Sequence, residues 1–424
     1  MANYNTNTYE IKREIQNFAN KLSKGLSKSK TNFVSDFLFG LNASNSTLIS
    51  NIARELKEDI KLQYTIERLC NNIHSYDLED KETVMSNYYN IIQTSLDEEV
   101  VLYIDDSDIS KPYGKKFEDL DYVLDGSAKS IEGKPKTGLG YYVASTVVLS
   151  QNNKQPIPLY NNIYSLLSVG VKSKTDETLK SIDQSLKALK DKKVLLVGDR
   201  GYDNKTIFDK CEKEEIDFNI RLKGNRKLYF KNKWLNVRDL AVARKGKVKM
   251  ELYFQEEDKE VYVSYTRVGF EKGKKDLTLI MVYGLSEKEP LILLTSKKIK
   301  NKHEVNKIVR SYFNRWRIEE YFRFIKVEDE YENIRIRDLK GMNVVSDLVL
   351  IRTGHLSIMA DKIDNKLMVI KIVEQAKALK NKVSFWLYQI SGGIRSILKY
   401  SKNGIKHFKR IESREKYQQL SLIL

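Results

Sequence analysis

Residues 193–203 read KVLLVGDRGYD. The run Val194–Val197, with no polar residue on either face, is the pattern of a strand buried on both sides. Such a strand delivers Asp199 at its C-terminal end, where open α/β sheets place their ligands. A polar turn closing a strand is the plainer alternative for this segment alone. Upstream, TDETLKSIDQSLKALK (175–190) has helical periodicity, with Leu179, Ile182, Leu186 and Leu189 on one side. Downstream, a helix is expected to start near Asn204, followed by a strand in DFNIRLKG (217–224). Further upstream, EVVLYID (99–105), TGLGYYVASTVVLS (137–150) and KQPIPLYNNIYS (154–165) read as three strands. Three strands, helix, strand, helix, strand is an order that a ribonuclease H-like α/β domain shows.

Outside this stretch the pattern changes twice. Residues 1–95 read as helical, with apolar candidates in NFVSDFLFGL, NSTLISNIARELKED and IKLQYTIERLCNNI, the middle one capped at Asn45 or Ser46. Following the lysine-serine segment KLSKGLSKSK, these helices form either a small DNA-binding bundle or a packing module. Residues 224–300 alternate as strands (VKMELYF, EVYVSYTRV, LTLIMVYGL, PLILLTS) and are expected to form a β-rich insertion. The chain beyond residue 330 is helical again, with a break expected at Ser391–Gly393. The resulting division is 1–95, 96–223, 224–300, 301–345 and 346–424.

Composition narrows the function. Lysine plus arginine number 74 against 57 acidic residues, a net charge of +17. Such an excess favours a polyanionic partner, because neutralising phosphates releases counterions. The two cysteines, Cys70 and Cys211, form no C-x2-C pair, and the four histidines are scattered, so a disulfide framework and a cysteine-zinc site are not expected. No apolar run of membrane-spanning length and no signal-peptide core is present, so a soluble, cytoplasmic protein is expected. GSAKSIEGKP (126–135) lacks the spacing of a phosphate-binding loop.

A second informative run is RSYFNRWRIEEYFRFIKVEDE, residues 310–330. Steps of three, four and seven residues separate Tyr312, Arg315, Glu319 and Lys326. On one continuous helix those steps would bring the four side chains within about 60° of each other. The acids in YIDDSDIS (103–110) end another strand, and alternation lets one of Asp105 and Asp106 point into a site. Asp106 is taken, with Asp105 as the alternative. Together with Asp199 and Glu319 this makes three acceptor-only ligands for two divalent ions, Mg²⁺ or Mn²⁺, about 3.5–4 Å apart. Basic residues interleaved with aromatics in RLKGNRKLYFKNKW (221–234) suit nucleic-acid backbone contacts and base stacking, and IRSILKYSKNGIKHFKR (394–410) is similarly basic.

These residues resemble a known family. NRWRIEEYFRFIK is similar to the signature of DDE transposases of the insertion-sequence-4 family, in the subclass named for its tyrosine, arginine, glutamate and lysine. DRGYD resembles the family's D-R-x-x-D, and DDSD its Asp-Asp-Thr segment. The resemblance implies a ribonuclease H-like catalytic domain interrupted by a β-rich insertion, flanked here by helical N- and C-terminal regions. It also implies catalysis by Asp106, Asp199 and Glu319, with Tyr312, Arg315 and Lys326 at the phosphate and Arg200 assisting. Arg221, Lys223 and Arg226 are further DNA-binding candidates. The expected partners are double-stranded DNA, as transposon ends and target, and a second copy of the chain in a homodimer. One departure stands out: no tryptophan lies between Trp234 and Trp316, where some members stack a flipped base. A nuclease or resolvase on the same fold and a domesticated DNA-binding protein are the alternatives.

Overall fold

The computed structural model describes residues 2–124, 137–254, 257–273, 276–285, 289–376, 384–401 and 404–405. GSAKSIEGKP and the basic tail beyond residue 405 lie outside them. The chain opens on α1 (Ala2–Leu22), α2 (Lys28–Ser44), α3 (Ile49–Leu56), α4 (Leu62–Ser75) and α5 (Leu78–Ile92). Next come β1 (Glu99–Ser110), β2 (Asp121–Leu124), β3 (Thr137–Leu149) and β4 (Pro156–Tyr164). α6 (Lys174–Ala188), β5 (Lys193–Gly198), α7 (Lys205–Lys213) and β6 (Asp217–Arg221) complete the first half. A hairpin of β7 (Lys227–Phe230) and β8 (Lys233–Asn236), then α8 (Val237–Val242), precede β9 (Val248–Phe254), β10 (Glu257–Val268), β11 (Leu277–Tyr283) and β12 (Leu291–Thr295). Helices α9 (Lys302–Phe313), α10 (Trp316–Glu328), α11 (Leu339–Ala360), α12 (Leu367–Gln375) and α13 (Leu387–Leu398) follow.

The protein is a mixed α/β molecule built on one large mixed sheet. β1 pairs antiparallel with β3 and parallel with β5, and β6 continues parallel to β5. β4 and the short β2 share the other edge of β3. The strands of the 224–300 segment extend this sheet: β12 pairs antiparallel with β6, then β11, β10 and β9 follow in antiparallel order. The β7–β8 hairpin is a separate two-stranded sheet joined to the end of β10 by a Tyr229–Gly269 bridge, and is closed by Lys231 and Asn232 with φ of 45° and 63°, the left-handed pair that a tight hairpin turn requires.

α11 is apolar on all sides and buried almost throughout, as a helix enclosed on every face must be. It lies on β4 and touches α2, α4, α5 and α13, so the N-terminal helices pack with the C-terminal ones. Its one arginine, Arg352, is fully buried. Arg352 donates to Asp329 just after α10, to Asn42 and Asn45 at the end of α2, and to Ser391 of α13. No helix among the described residues is long and apolar enough to cross a membrane.

Three local expectations change. Asn45 does not cap α3; it ends α2 in the left-handed conformation, with φ 50°, and Leu48 precedes α3 without a side-chain cap. The Ser391–Gly393 stretch does not break the chain but lies inside α13. A Cβ on Gly393 would stand 2.0 Å from the Ile372 carbonyl oxygen, so this glycine permits α12 and α13 to touch backbone to backbone. The run 302–328 is not one helix. From Arg315 the hydrogen bonds step to i−3, with Arg315 donating to Tyr312, Arg317 to Asn314 and Ile318 to Arg315. The tighter turn separates α9 from α10.

Candidate functional site

The strand register decides where the β1 acids point. Residues directly opposite in a sheet share a face. Asp105 lies opposite Ser145, which lies opposite Asn161, and Asp106 follows Ala144 and Asn162. Asn161 donates at 3.0 Å to Tyr331 and to Ser346 of α11, whereas Asn162 donates at 3.0 Å to Glu177 of α6. Asp105 therefore faces α10 and α11, and Asp106 faces α6. Tyr103, two residues before Asp105, hydrogen-bonds Asn314 in the α9–α10 turn on that same face. In the neighbouring strand Val197 lies opposite Tyr103, and Asp199 follows just past the end of β5, near enough to raise both Asp105 and Asp106. Asp199 Oδ1 accepts from the Gly201 amide at 2.7 Å and caps the short 3-10 turn Arg200–Tyr202.

Arg315 joins two of the acids. Its Nη1 donates to Asp105 Oδ2 at 2.9 Å and its Nη2 to Glu319 Oε1 at 2.6 Å. Burial, reinforced by Asp199 and Glu319 and opposed by Arg315, pushes the Asp105 carboxyl up to about 7. Burial likewise raises Asp106 to about 6, against Lys174 and a hydrogen bond from Tyr202, with Asp199 adding to the rise. A buried group of acids with this electrostatic coupling resists full ionisation until a cation joins it.

Of the residues expected at the phosphate, Arg315 is placed between the acids. The Tyr312 ring is buried beside it, 6.0 Å from the guanidinium. Lys326 stands two turns beyond Glu319 along α10, 3.4 Å from Glu332 and 4.0 Å from Asp108. α10 thus runs beside the acidic end of β1, with Arg315 at Asp105 and Lys326 near Asp108. Lys111 secures this edge: buried, and lowered by burial to about 8, it donates to the carbonyls of Glu332 and Ile334.

The remaining cations divide. Arg200 and Lys223 are exposed and Arg221 is half-buried. Arg226 is tied to the buried Asp203, with Nε to Oδ1 at 2.8 Å and Nη2 to the carbonyl at 3.0 Å. Tyr229 is buried and meets Trp234 edge-on, while Trp234 is half-exposed. Lys174 and Tyr202, which act on Asp106, carried no signal in the sequence: Lys174 belongs to no motif and Tyr202 fills an unspecified position of DRGYD.

Among the described residues no three histidine, cysteine, aspartate or glutamate side chains are gathered closely enough to hold a metal ion as they stand. The donor set nevertheless fits a hard cation: Asp105 and Glu319 already converge on one positive group, and Asp199 is close enough to raise Asp105.

Residues 150–342 match the family model described as the transposase DDE domain. The matched stretch contains Asp199, Arg315 and Glu319 and begins after β1. No curated protein matches the chain. A solved structure, the cryo-EM piggyBac transposase synaptic complex with hairpin DNA, is 11% identical with a TM-score of 0.47, covering 95% of this chain and 82% of that one.

Proposed function

We propose that this protein is a DDE-type DNA transposase of the insertion-sequence-4 family, cutting at transposon ends and joining the freed 3′-hydroxyl to target DNA. The observation that carries the reading is the convergence of Asp105 and Glu319 on Arg315, with Asp199 just past the end of the next parallel strand and near enough to raise Asp105. The match to a transposase DDE domain across Asp199 and Glu319 supports it. So does the order β4-β3-β1-β5-β6, three antiparallel strands followed by two parallel ones, which is a ribonuclease H-like arrangement.

In this reading the first acid is Asp105, because Asp106 faces away from Glu319. Asp105, Asp199 and Glu319 would hold Mg²⁺ or Mn²⁺, which when bound supplies an activated hydroxyl and a counter-charge for the leaving oxygen. Arg315 and Lys326 give α10 two cations for the scissile strand, with the Tyr312 ring supporting Arg315. Asp106 acts through Tyr202, which belongs to the turn that Asp199 caps. Arg200, Arg221 and Lys223 offer phosphate contacts along the duplex, and Arg226 stabilises their loop through Asp203.

The test is cleavage of a transposon-end duplex in Mg²⁺. Glu319→Gln and Asp105→Asn should each lower the rate by at least about a thousandfold while leaving duplex binding intact. Cleavage at the wild-type rate by either variant would remove the proposed site. Joining of a pre-cleaved end to a target plasmid separates a transposase from a nuclease that only hydrolyses.

A further inference from the structure

Arg315 stands between Asp105 and Glu319, the two carboxylates read above as metal ligands. Its two Nη groups are committed to Asp105 and Glu319, while its Nε is buried and has no hydrogen-bond partner among the described residues. The guanidinium is thus held by carboxylates on one side and left unsatisfied on the other, although its fork can serve a tetrahedral oxyanion equally well. Arg315 also sits at the α9–α10 junction, and Glu319 is a third exposed, so the pair opens to solvent on the glutamate side.

We propose that Arg315 is an internal counter-ion that holds Asp105 and Glu319 together in the metal-free protein and must release them when a divalent cation binds. The released guanidinium then takes a phosphate oxygen, so metal uptake and DNA-phosphate capture are coupled through one side chain. A carboxylate oxygen donating its lone pair to a metal cannot keep the same in-plane hydrogen bond, so the two cations compete for the same acceptors. This inference rests on the metal-binding reading above, and its test separates the two.

The measurement is Mn²⁺ affinity of the full-length, DNA-free protein, read from the paramagnetic resonance of free Mn²⁺. Arg315→Gln should bind Mn²⁺ about tenfold more tightly than wild type, the loss of two charge-assisted hydrogen bonds to the ligands. Lys326→Gln removes an equal charge from α10, the helix that Arg315 precedes, without touching Asp105 or Glu319, and should change the affinity by less than about threefold. A short uncleavable duplex should tighten Mn²⁺ binding in wild type and have no such effect in Arg315→Gln. Should Arg315→Gln fold poorly by thermal unfolding, Arg315→Lys keeps the charge, loses the fork and should tighten binding about threefold. Equal tightening in Arg315→Gln and Lys326→Gln, or none in Arg315→Gln, overturns the competition. The metal site itself still stands if Glu319→Gln loses Mn²⁺. Undiminished Mn²⁺ binding by both Asp105→Asn and Glu319→Gln overturns the metal reading and this inference with it.

Discussion

At the scale of single residues, the site turns on which way two adjacent aspartates point. Asp105 meets Arg315, which also holds Glu319, whereas Asp106 bonds Tyr202 and feels the charge of Lys174. Asp106→Asn should therefore keep cleavage within about a hundredfold of wild type, since the amide still accepts from Tyr202, whereas Asp105→Asn should abolish it. Measured rates in the opposite order would return the metal to Asp106. The raised Asp105 pKa also sets a pH dependence. The folded protein holds this proton up to about 7, while an unfolded aspartate releases it near 3.8. Between those values the native state binds more protons than the unfolded one, so metal-free stability falls as pH rises from 4 to 7. At pH 8, Asp105→Asn should be the more stable metal-free protein, by roughly 1–3 kcal/mol, and at pH 4 the gap should close. Thermal unfolding at the two pH values with a chelator present measures it. The sequence could not settle the choice, because β1 is packed on both faces and its alternation carries no polar side.

At the scale of elements, most strands and helices were legible as hydrophobic runs between turn residues. KVLLVGD became β5 and LTLIMVY became β11, and α7 starts beside Asn204 as expected, with Asn204 capping it by accepting from Thr206. The misreadings came where tertiary contacts override local signals. Ser391–Gly393 looks like a breaker, yet α13 passes through it because Gly393 rests on α12. The two glycines should accordingly respond differently. Gly393→Val must push α12 aside and should cost about 1–3 kcal/mol. Gly392→Ala meets open space and should be neutral or stabilise by about 0.5–1 kcal/mol through helix propensity. Chemical denaturation distinguishes the pair, and equal effects would contradict the packing account. The α9–α10 turn is a different case: the helical spacing of Tyr312, Arg315 and Glu319 runs through it, and Asn314, a residue type that favours caps and turns, is the local mark of the i−3 bonds that begin at Arg315.

At the scale of the whole molecule, the helix carrying Glu319 is fastened at both ends. Arg315 ties its start to β1, and beyond its far end Asp329 is held by the buried Arg352, which also binds Asn42, Asn45 and Ser391. The α2–α3 connection adds Asn45 Nδ2 to Glu328 at 2.9 Å and the Thr47 amide to the Asp329 carbonyl at 2.8 Å. Arg352→Met leaves Asp329 buried without its counter-ion and should cost about 3–5 kcal/mol in denaturant unfolding. The double variant Arg352→Met with Asp329→Leu should recover part of that loss, and no recovery would argue against the ion pair as the cause. By itself, the sequence determined the mixed α/β order, the strand that presents Asp199 and the helical segment that carries Arg315 and Glu319. Those depend on local periodicity and turn chemistry, which neighbouring residues encode. Only the tertiary structure decided that Asp105 is the acid turned toward Glu319, that β9–β12 extend the main sheet, and that Arg315 stands between two carboxylates. Those are matters of register and of contacts between residues far apart in the chain, and they exist only once the sheet is assembled.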